Sequence, residues 1–356
     1  SLVYTQAEGS LAFLQLVALT GIWGPVFVLT WFGSVMNWIW ESGFEWEPIK
    51  RGASVYFVLL AIIFLVGGFR ISNLSPNTNT TRVASIISPF QWVLETRLAD
   101  QKELDDLRKS TLSIQSELIQ LTKQAALSNA DIVLWNEAAA PVFGRDEEKL
   151  LKTGSKVANT LGVYLLMSLY VRPENYHEEP LENKVILFTA EGKKDFEYIK
   201  SRPVPGEVIV EGDGRLFQSK APFGNLSSVI CYDMDFPGLV RQAGKQGTDI
   251  MLVPADDWEE ITPWHTKMAS FRAVENGFSM VRSTREGLSA AFDSRGRTLA
   301  SLNSFESDQT ILIADVPSKG TFTIYPIIGD LFAWICLVGL PILIVMGSLT
   351  RFKRDS

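Results

Sequence analysis

Two histidines and two cysteines are all that the 356 residues offer of the side chains that most often hold metals or build disulfides. His177 and His265 stand far apart with no Cys/His cluster around either, so no zinc site is expected. Cys231 and Cys336 cannot make a disulfide framework, and Cys336 lies inside an apolar run, which argues against a bridge between them. Positive charge is also short: 33 Lys and Arg against 40 Asp and Glu leave a net charge of −7, which argues against nucleic acid as a partner. There is no internal repeat, no low-complexity segment and no signal-peptide pattern after Ser1, so further membrane spans are expected upstream.

Long uncharged runs are what the chain has in quantity. Hydrophobic residues make up 46% and charged residues 21%, a mixture that fits a soluble domain joined to membrane segments. Three stretches read as spans: residues 11–40, which carry no charge, "ASVYFVLLAIIFLVGGF" at 53–69, and "LFAWICLVGLPILIVMGSL" at 331–349. Lys50 and Arg51 lie between the first two, and Arg351, Lys353 and Arg354 follow the third. The bias of Lys and Arg toward the cytoplasmic side places these short segments inside and the 70–328 region outside. Trp38, Trp40 and Trp46 near span ends suit an interfacial belt. The expected organisation is two transmembrane helices over 1–70, a linker over 71–81, a catalytic domain over 82–327, a C-terminal transmembrane helix over 328–350 and a cytoplasmic tail over 351–356.

Between the spans the pattern is that of an α/β domain. "SNLSPNTNTT" (72–81) has turn chemistry, "RVASIIS" (82–88) reads as a first strand, and 99–128 places Leu112, Ile114, Leu118 and Leu121 at helical spacing. Apolar strands follow at 131–135, 162–171, 183–192, 225–232, 249–256, 278–284 and 288–297, separated by helical segments such as "FPGLVRQAGKQG" and "HTKMASFRAVENG". Apolar strands alternating with helices indicate a buried, layered sheet.

Three residues sit at strand exits, where a rigid scaffold exposes side chains. Cys231 ends the run "SVIC", Glu137 closes "DIVLWNE", and Lys200 follows a strand-like segment in "FEYIKSRPVPGE". Taken singly, each has an ordinary reading: a small buried hydrophobe, a helix N-terminal acid and a solvated cation. Together they make chemical sense. An ammonium favours a thiolate, a carboxyl group can take the thiol proton and return it to a leaving group, and the ammonium with the Tyr232 amide can hold an oxyanion. Cys–His catalysis is the poorer reading, because His265 lies in a helix-like segment with no evident third group to orient it.

The order "LWNEAAAP", "YIKSRPVPGE", "SVICYDMDFP", followed by "LVPADDW", "HTKMASFRAVENG" and "GLSAAFDSRGR", resembles the Glu-Lys-Cys pattern of the nitrilase superfamily of carbon–nitrogen hydrolases over residues 82–316. The flanking spans make the chain similar to the apolipoprotein N-acyltransferase family within it. "RPVPGE" stands where that family has Pro-Phe-Gly-Glu, and its usual Cys-Tyr-Glu reads Cys231-Tyr232-Asp233 here. The resemblance implies an αββα sandwich flanked by transmembrane helices, in the cell (inner) membrane with the catalytic domain on the outer, periplasmic side. It implies a catalytic Glu137, Lys200 and Cys231, supported by Glu207 and Tyr232, with Trp258 and Trp264 expected at the substrate mouth. No metal or cofactor is implied. The implied partners are a phospholipid acyl donor, a lipoprotein acceptor and the bilayer; the implied reaction is acyl transfer through a cysteine thioester to the lipoprotein's N-terminal amine. A membrane-anchored amidohydrolase acting on a small amide, or a catalytically dead scaffold, are the alternatives.

Overall fold

The computed structural model describes residues 3–4, 9–72, 79–88, 101–173 and 179–355. Most of the 72–81 linker, and His177, lie outside the described residues. The chain forms two compact units, Ser1–Leu74 with Thr323–Ser356, and Ser75–Phe322.

The first unit opens with α1 (Leu11–Leu14), α2 (Val17–Thr20), α3 (Trp23–Glu41) and α4 (Trp46–Ser72). The uncharged 11–40 stretch, expected as one span, is instead bent by 118° between Leu11–Thr20 and Trp23–Glu41. Gly21 makes the bend at φ +59, a conformation an L side chain resists, and a Cβ there would stand 2.5 Å from the Tyr325 ring. Hydropathy cannot see this break, because both arms are equally apolar. Phe13, Val28, Val35, Ala53 and Tyr56 form the buried cluster that joins α1, α3 and α4.

The second unit runs β1 (Thr80–Ile86), α5 (Gln101–Ala126), β2 (Ile132–Trp135), β3 (Ala140–Phe143), α6 (Gly144–Leu161), β4 (Tyr164–Arg172), β5 (Glu182–Phe188) and β6 (Lys194–Ile199). It continues with β7 (Ser219–Ala221), β8 (Gly224–Ser228), α7 (Pro237–Gln246), β9 (Ile250–Ala255), α8 (Trp264–Asn276), β10 (Ser279–Thr284), β11 (Leu288–Phe292), β12 (Thr298–Asn303) and β13 (Ile311–Pro317). The strands make two sheets, ordered β13-β1-β2-β4-β5-β6 with β3 beside β4, and β12-β11-β10-β9-β8-β7. The centre of each is parallel: β1, β2 and β4 in one, β8, β9 and β10 in the other.

Alternation along the central strands sets the layers. Ile132 and Leu134 face a core shared with Leu226, Leu252 and Met280 of the second sheet. Val133 and Trp135, one residue out of step, pack with Ile114 and Leu118 of α5 and Leu150 and Ala158 of α6. On the far side Leu239, Val240 and Ala243 of α7 and Ala269 and Ala273 of α8 join the core with the second sheet. The result is the αββα sandwich. The two sheets are also tied by hydrogen bonds: the Ser283 hydroxyl donates to the Ile86 carbonyl at 3.0 Å, and the Glu137 amide to that of Ala255 at 3.3 Å.

The chain returns to the first unit through α9 (Tyr325–Ile328) and α10 (Leu331–Asp355). By length and composition α4 and the Leu331–Leu349 part of α10 are able to cross a membrane.

Candidate active site

The carboxyl ends of β2, β6, β8 and β9 converge on one cavity of about 900 Å³. Glu137, Lys200, Glu207, Cys231, Tyr232, Trp258 and Trp264 all line it. Crevices beyond the carboxyl ends of parallel strands are where open α/β sheets present ligand-binding loops.

Glu137 lies two residues past β2 and is 5% exposed. Ala138, next to it, holds φ +52, and its amide donates to the Ser168 hydroxyl at 3.0 Å. The chain thus turns sharply enough to aim Glu137 inward. Glu137 Oε1 accepts from Lys200 Nζ at 2.8 Å and from Asn183 Nδ2 at 2.7 Å. Lys200 follows the last residue of β6, and its ammonium also donates to Glu207 Oε2 at 2.8 Å. Glu207 accepts the Val204 amide at 3.0 Å as well, which closes the Pro-rich loop on itself. Burial works against the Lys200 charge, but the Glu137 and Glu207 carboxylates outweigh it and hold the ammonium well above the ordinary lysine range. Lys200 therefore stays charged.

Cys231 is not the last residue of a strand. β8 ends at Ser228, Val229 and Ile230 continue as extended chain, and Cys231 opens a 3-10 turn, Cys231–Asp235. Its φ is +47, a left-handed conformation that costs a non-glycine residue on the order of 1 kcal/mol or more. The turn swings the sulfur out of the sheet toward the cavity while keeping it 3% exposed. Burial and then Glu137 push the thiol's pKa well above its ordinary value, against the opposing pull of Arg282 and Lys200. A thiol so placed is protonated at rest and needs a base before it can act as a nucleophile.

Asp233, two residues on, is fully buried and binds the turn to its surroundings. Its carboxylate accepts the Ile230 amide at 3.1 Å, the Tyr198 hydroxyl at 2.8 Å, and the amides of Ser201 and Arg202 at 3.2 and 2.8 Å. Burial raises its pKa to about 6 despite these bonds.

A second group of charges, not evident from the sequence, lies beside the sulfur. The sequence offers His265 no orienting partner, but in the structure its Nδ1 stands 2.7 Å from Asp257 Oδ1 and its Nε2 3.2 Å from Asp235 Oδ1. Arg282 Nη2 donates to Asp257 Oδ1 at 2.8 Å and stands 4.0 Å from Cys231 Sγ. Donor atoms of Cys231, Asp257 and His265 fall within 4.8 Å of one another, as in a metal site. The buried Arg282 guanidinium, however, is bonded to Asp257 Oδ1 and stands beside the sulfur, where its charge opposes a cation, so the group reads as a hydrogen-bonded charge network. The signal available in the sequence is Arg282 itself, a lone charge inside the apolar strand "SMVRST".

The cavity wall combines this chemistry with apolar surface. Trp258, Ile261, Trp264 and Met268 line one part, and the two tryptophans are 49% and 44% exposed. Asp256 and Arg285 form an ion pair across another part.

Comparison with known proteins bears on the family and the fold. The carbon-nitrogen hydrolase family model matches residues 108–323. Curated relatives include the apolipoprotein N-acyltransferase of Rickettsia prowazekii, 25% identical over 82% of this chain and 60% of its own length. That of Geobacter metallireducens is 24% identical over 100% of this chain and 70% of its own length, and that of Caulobacter vibrioides 26% over 91% and 64%. The chain thus spans 60 to 70% of the length of these relatives. Among solved structures, an amidase from Nesterenkonia sp. superposes with a TM-score of 0.54 at 19% identity, over 70% of this chain and 94% of its own. A variant of that amidase with the acetamide moiety of fluoroacetamide added at its active-site cysteine gives 0.56 at 18% identity, over 69% and 94%. The match to the family model extends from within α5 to the end of the second unit and takes in every strand exit that contributes to the cavity: the chain belongs to the carbon–nitrogen hydrolase family.

Proposed function

We propose that this chain carries the catalytic part of a membrane-bound N-acyltransferase, which moves a fatty acyl chain from a phospholipid, through a thioester on Cys231, to the N-terminal amine of a lipoprotein. The observation that carries the reading is a single cavity that joins Glu137, Lys200 and Cys231 to an apolar wall of Trp258, Ile261 and Trp264, in a chain with helices apolar enough to cross a membrane. The similarity to apolipoprotein N-acyltransferases supports the choice of substrates.

In this reading Glu137 takes the proton from the Cys231 thiol as the sulfur attacks the ester carbonyl carbon of the donor. The oxyanion that forms is held by the Lys200 ammonium and the Tyr232 amide, at the start of the 3-10 turn. Collapse breaks the ester C–O bond, Glu137 returns the proton to the departing alkoxide, and a lysophospholipid leaves. The acceptor amine then attacks the thioester carbonyl, Glu137 relays a proton from nitrogen to the departing sulfur, and the C–S bond breaks to release the amide. Glu207 and Asn183 orient the Lys200–Glu137 pair, which keeps base and oxyanion donor in fixed register.

Lys50 and Arg51 before the apolar part of α4, and Arg351, Lys353 and Arg354 at the end of α10, support an orientation with the α/β unit on the outer, periplasmic face of the inner membrane. Incubation of the purified full chain with radiolabelled phospholipid tests the proposal. Label that accumulates on Cys231 as a hydroxylamine-sensitive thioester and transfers to a lipopeptide amine is the expected result. Turnover of small amides with no lipid-derived acyl-enzyme would contradict it and favour the amidohydrolase.

A further inference from the structure

The charge network beside Cys231 has no part in the steps above, yet it contains a constraint on protonation. A neutral imidazole has one N–H, and both His265 nitrogens lie at hydrogen-bonding distance from a carboxylate, Asp257 at 2.7 Å and Asp235 at 3.2 Å. Only the imidazolium donates to both; the neutral ring with its proton on Nε2 donates to Asp235 alone and accepts at Nδ1 from Arg282 Nη2. The ring side chain is 10% exposed and Asp257's 1%, so these are bonds in a largely water-excluded space. Arg282, 0% exposed, donates to the same Asp257 oxygen, and its Nη2 also stands at hydrogen-bonding distance, 2.9 Å, from His265 Nδ1. Its Nε and Nη1 have no hydrogen-bond partner among the described residues. Asp257 is therefore the anion that holds the guanidinium in place, which leaves it charge to spare for the sulfur 4.0 Å away.

We propose that His265 is a positioning residue, held as an imidazolium between Asp257 and Asp235, which keeps Arg282 directed at the Cys231 sulfur, and that loss of its proton weakens the nucleophile at alkaline pH. This rests on the reading of Cys231 as the nucleophile. With the imidazolium present, Arg282 and His265 balance Asp257 and Asp235. When the proton leaves, the group, in which Asp257 and His265 atoms lie within 4.8 Å of the sulfur, carries one net negative charge, and the thiol becomes harder to ionise. The direction of the His265 shift agrees: burial and Arg282 oppose its charge, but Asp235 and Asp257 outweigh them and raise its pKa above the ordinary value. The groups that face the ring are Asp257 from the β9–α8 segment, Asp235 and Cys231 from the 3-10 turn, and Arg282 from β10. Farther along the cavity wall stand Glu137, Lys200, Glu207, Asp256, Glu260 and Arg285, and on the ring's own helix Lys267 lies over the Trp264 ring.

The test is the pH dependence of Cys231 alkylation by iodoacetamide in the full chain in detergent, in a Cys336→Ser background so that a single thiol reports. The expected ratio of wild-type to His265→Gln rates is about tenfold or more at pH 6, since a nearby charge shifts a pKa by roughly one unit or more, and it falls toward one above the His265 titration. Asp235→Asn, which removes one of the two carboxylates, moves the pH at which the rise in alkylation rate flattens to a lower value and serves alone if His265→Gln does not fold. A ratio that is the same at every pH, or an Asp235→Asn profile that overlays the wild type, overturns the relay and leaves the nucleophile standing. A native Cys231 that is not alkylated at any pH, while the denatured chain is, overturns both.

Discussion

Asp233 Oδ1 accepts the amide of Arg202 at 2.8 Å, and this bond fastens the loop that follows Lys200 to the turn that presents Cys231. The same carboxylate accepts the Ser201 amide and, through its other oxygen, the Ile230 amide and the Tyr198 hydroxyl. One buried side chain thus sets the distance between the ammonium and the sulfur. Asp233→Asn keeps the shape but turns an amide nitrogen toward donors: the Tyr198 hydroxyl can reverse its role, whereas a backbone N–H cannot. The expected loss is ~1–3 kcal/mol of stability for the one amide left unsatisfied, and more for Asp233→Ala, which strands three. Denaturant titration of the purified variants measures it, with a matching fall in the rate of Cys231 alkylation.

Lys200 lies between Glu137 and Glu207 with its side chain 3% exposed. Lys200→Met leaves the buried Glu137 and the half-buried Glu207 facing each other with no cation between them. Breaking a buried pair in this way costs roughly 3–5 kcal/mol, and loss of an oxyanion donor costs about 10²–10³ in rate. A thermal shift assay and single-turnover acylation separate the two effects. Lys200→Met/Glu207→Gln is expected to recover part of the stability and none of the rate.

Trp258 and Trp264 offer apolar surface at the cavity without touching the reacting atoms in the proposed mechanism. Trp258→Ala and Trp264→Ala are expected to raise KM for a long-chain phospholipid donor about tenfold each, in line with about 25 cal/mol per Å² of acyl-chain surface that stays in water, and to leave kcat within a few-fold. A short-chain ester, which cannot reach the tryptophans, is expected to show little change. Equal losses for long and short donors would assign the two rings to structure.

Stability should also depend on His265. Its folded pKa is raised above the ordinary 6.5, so proton binding favours the folded state. That contribution is fully present below pH 6.5 and is lost as pH rises through the folded value. Wild-type Tm is therefore expected to decline more steeply than that of His265→Gln as pH rises above 6.5, where Asp233 and Asp256, which titrate near pH 6, contribute progressively less. Parallel Tm–pH curves would contradict the raised value.

Glu137, Lys200 and Cys231 are visible in the sequence because each follows a strand-like segment, and strand exits are local features. Cys231 nonetheless belongs to a 3-10 turn rather than to β8, a distinction that rests on a positive φ and not on residue type. The network of Asp257, His265 and Arg282 is hidden because its members come from three elements and meet only in the folded sandwich. Asp233 is legible only as a departure from Cys-Tyr-Glu; its role appears once Ser201 and Arg202, about 30 positions upstream, are seen to donate to it. β12, in which Leu302 is the one buried residue, gives a weak apolar signal, whereas the alternation in "ILIADVP" of β13 is a readable strand pattern that the strand assignment above leaves out. The bend at Gly21 cannot be read from an uninterrupted apolar run.

The central claim is that Cys231 carries a phospholipid-derived acyl group as a covalent intermediate. Intact-protein mass spectrometry of the full chain after incubation with a phospholipid of defined acyl chains, without acceptor, tests it most directly. The expected spectrum shows the mass of one fatty acid less water, located on Cys231 by peptide mapping, absent in Cys231→Ala and discharged when a lipopeptide amine is added. An unmodified Cys231 in a folded chain that still transfers acyl groups would contradict the account.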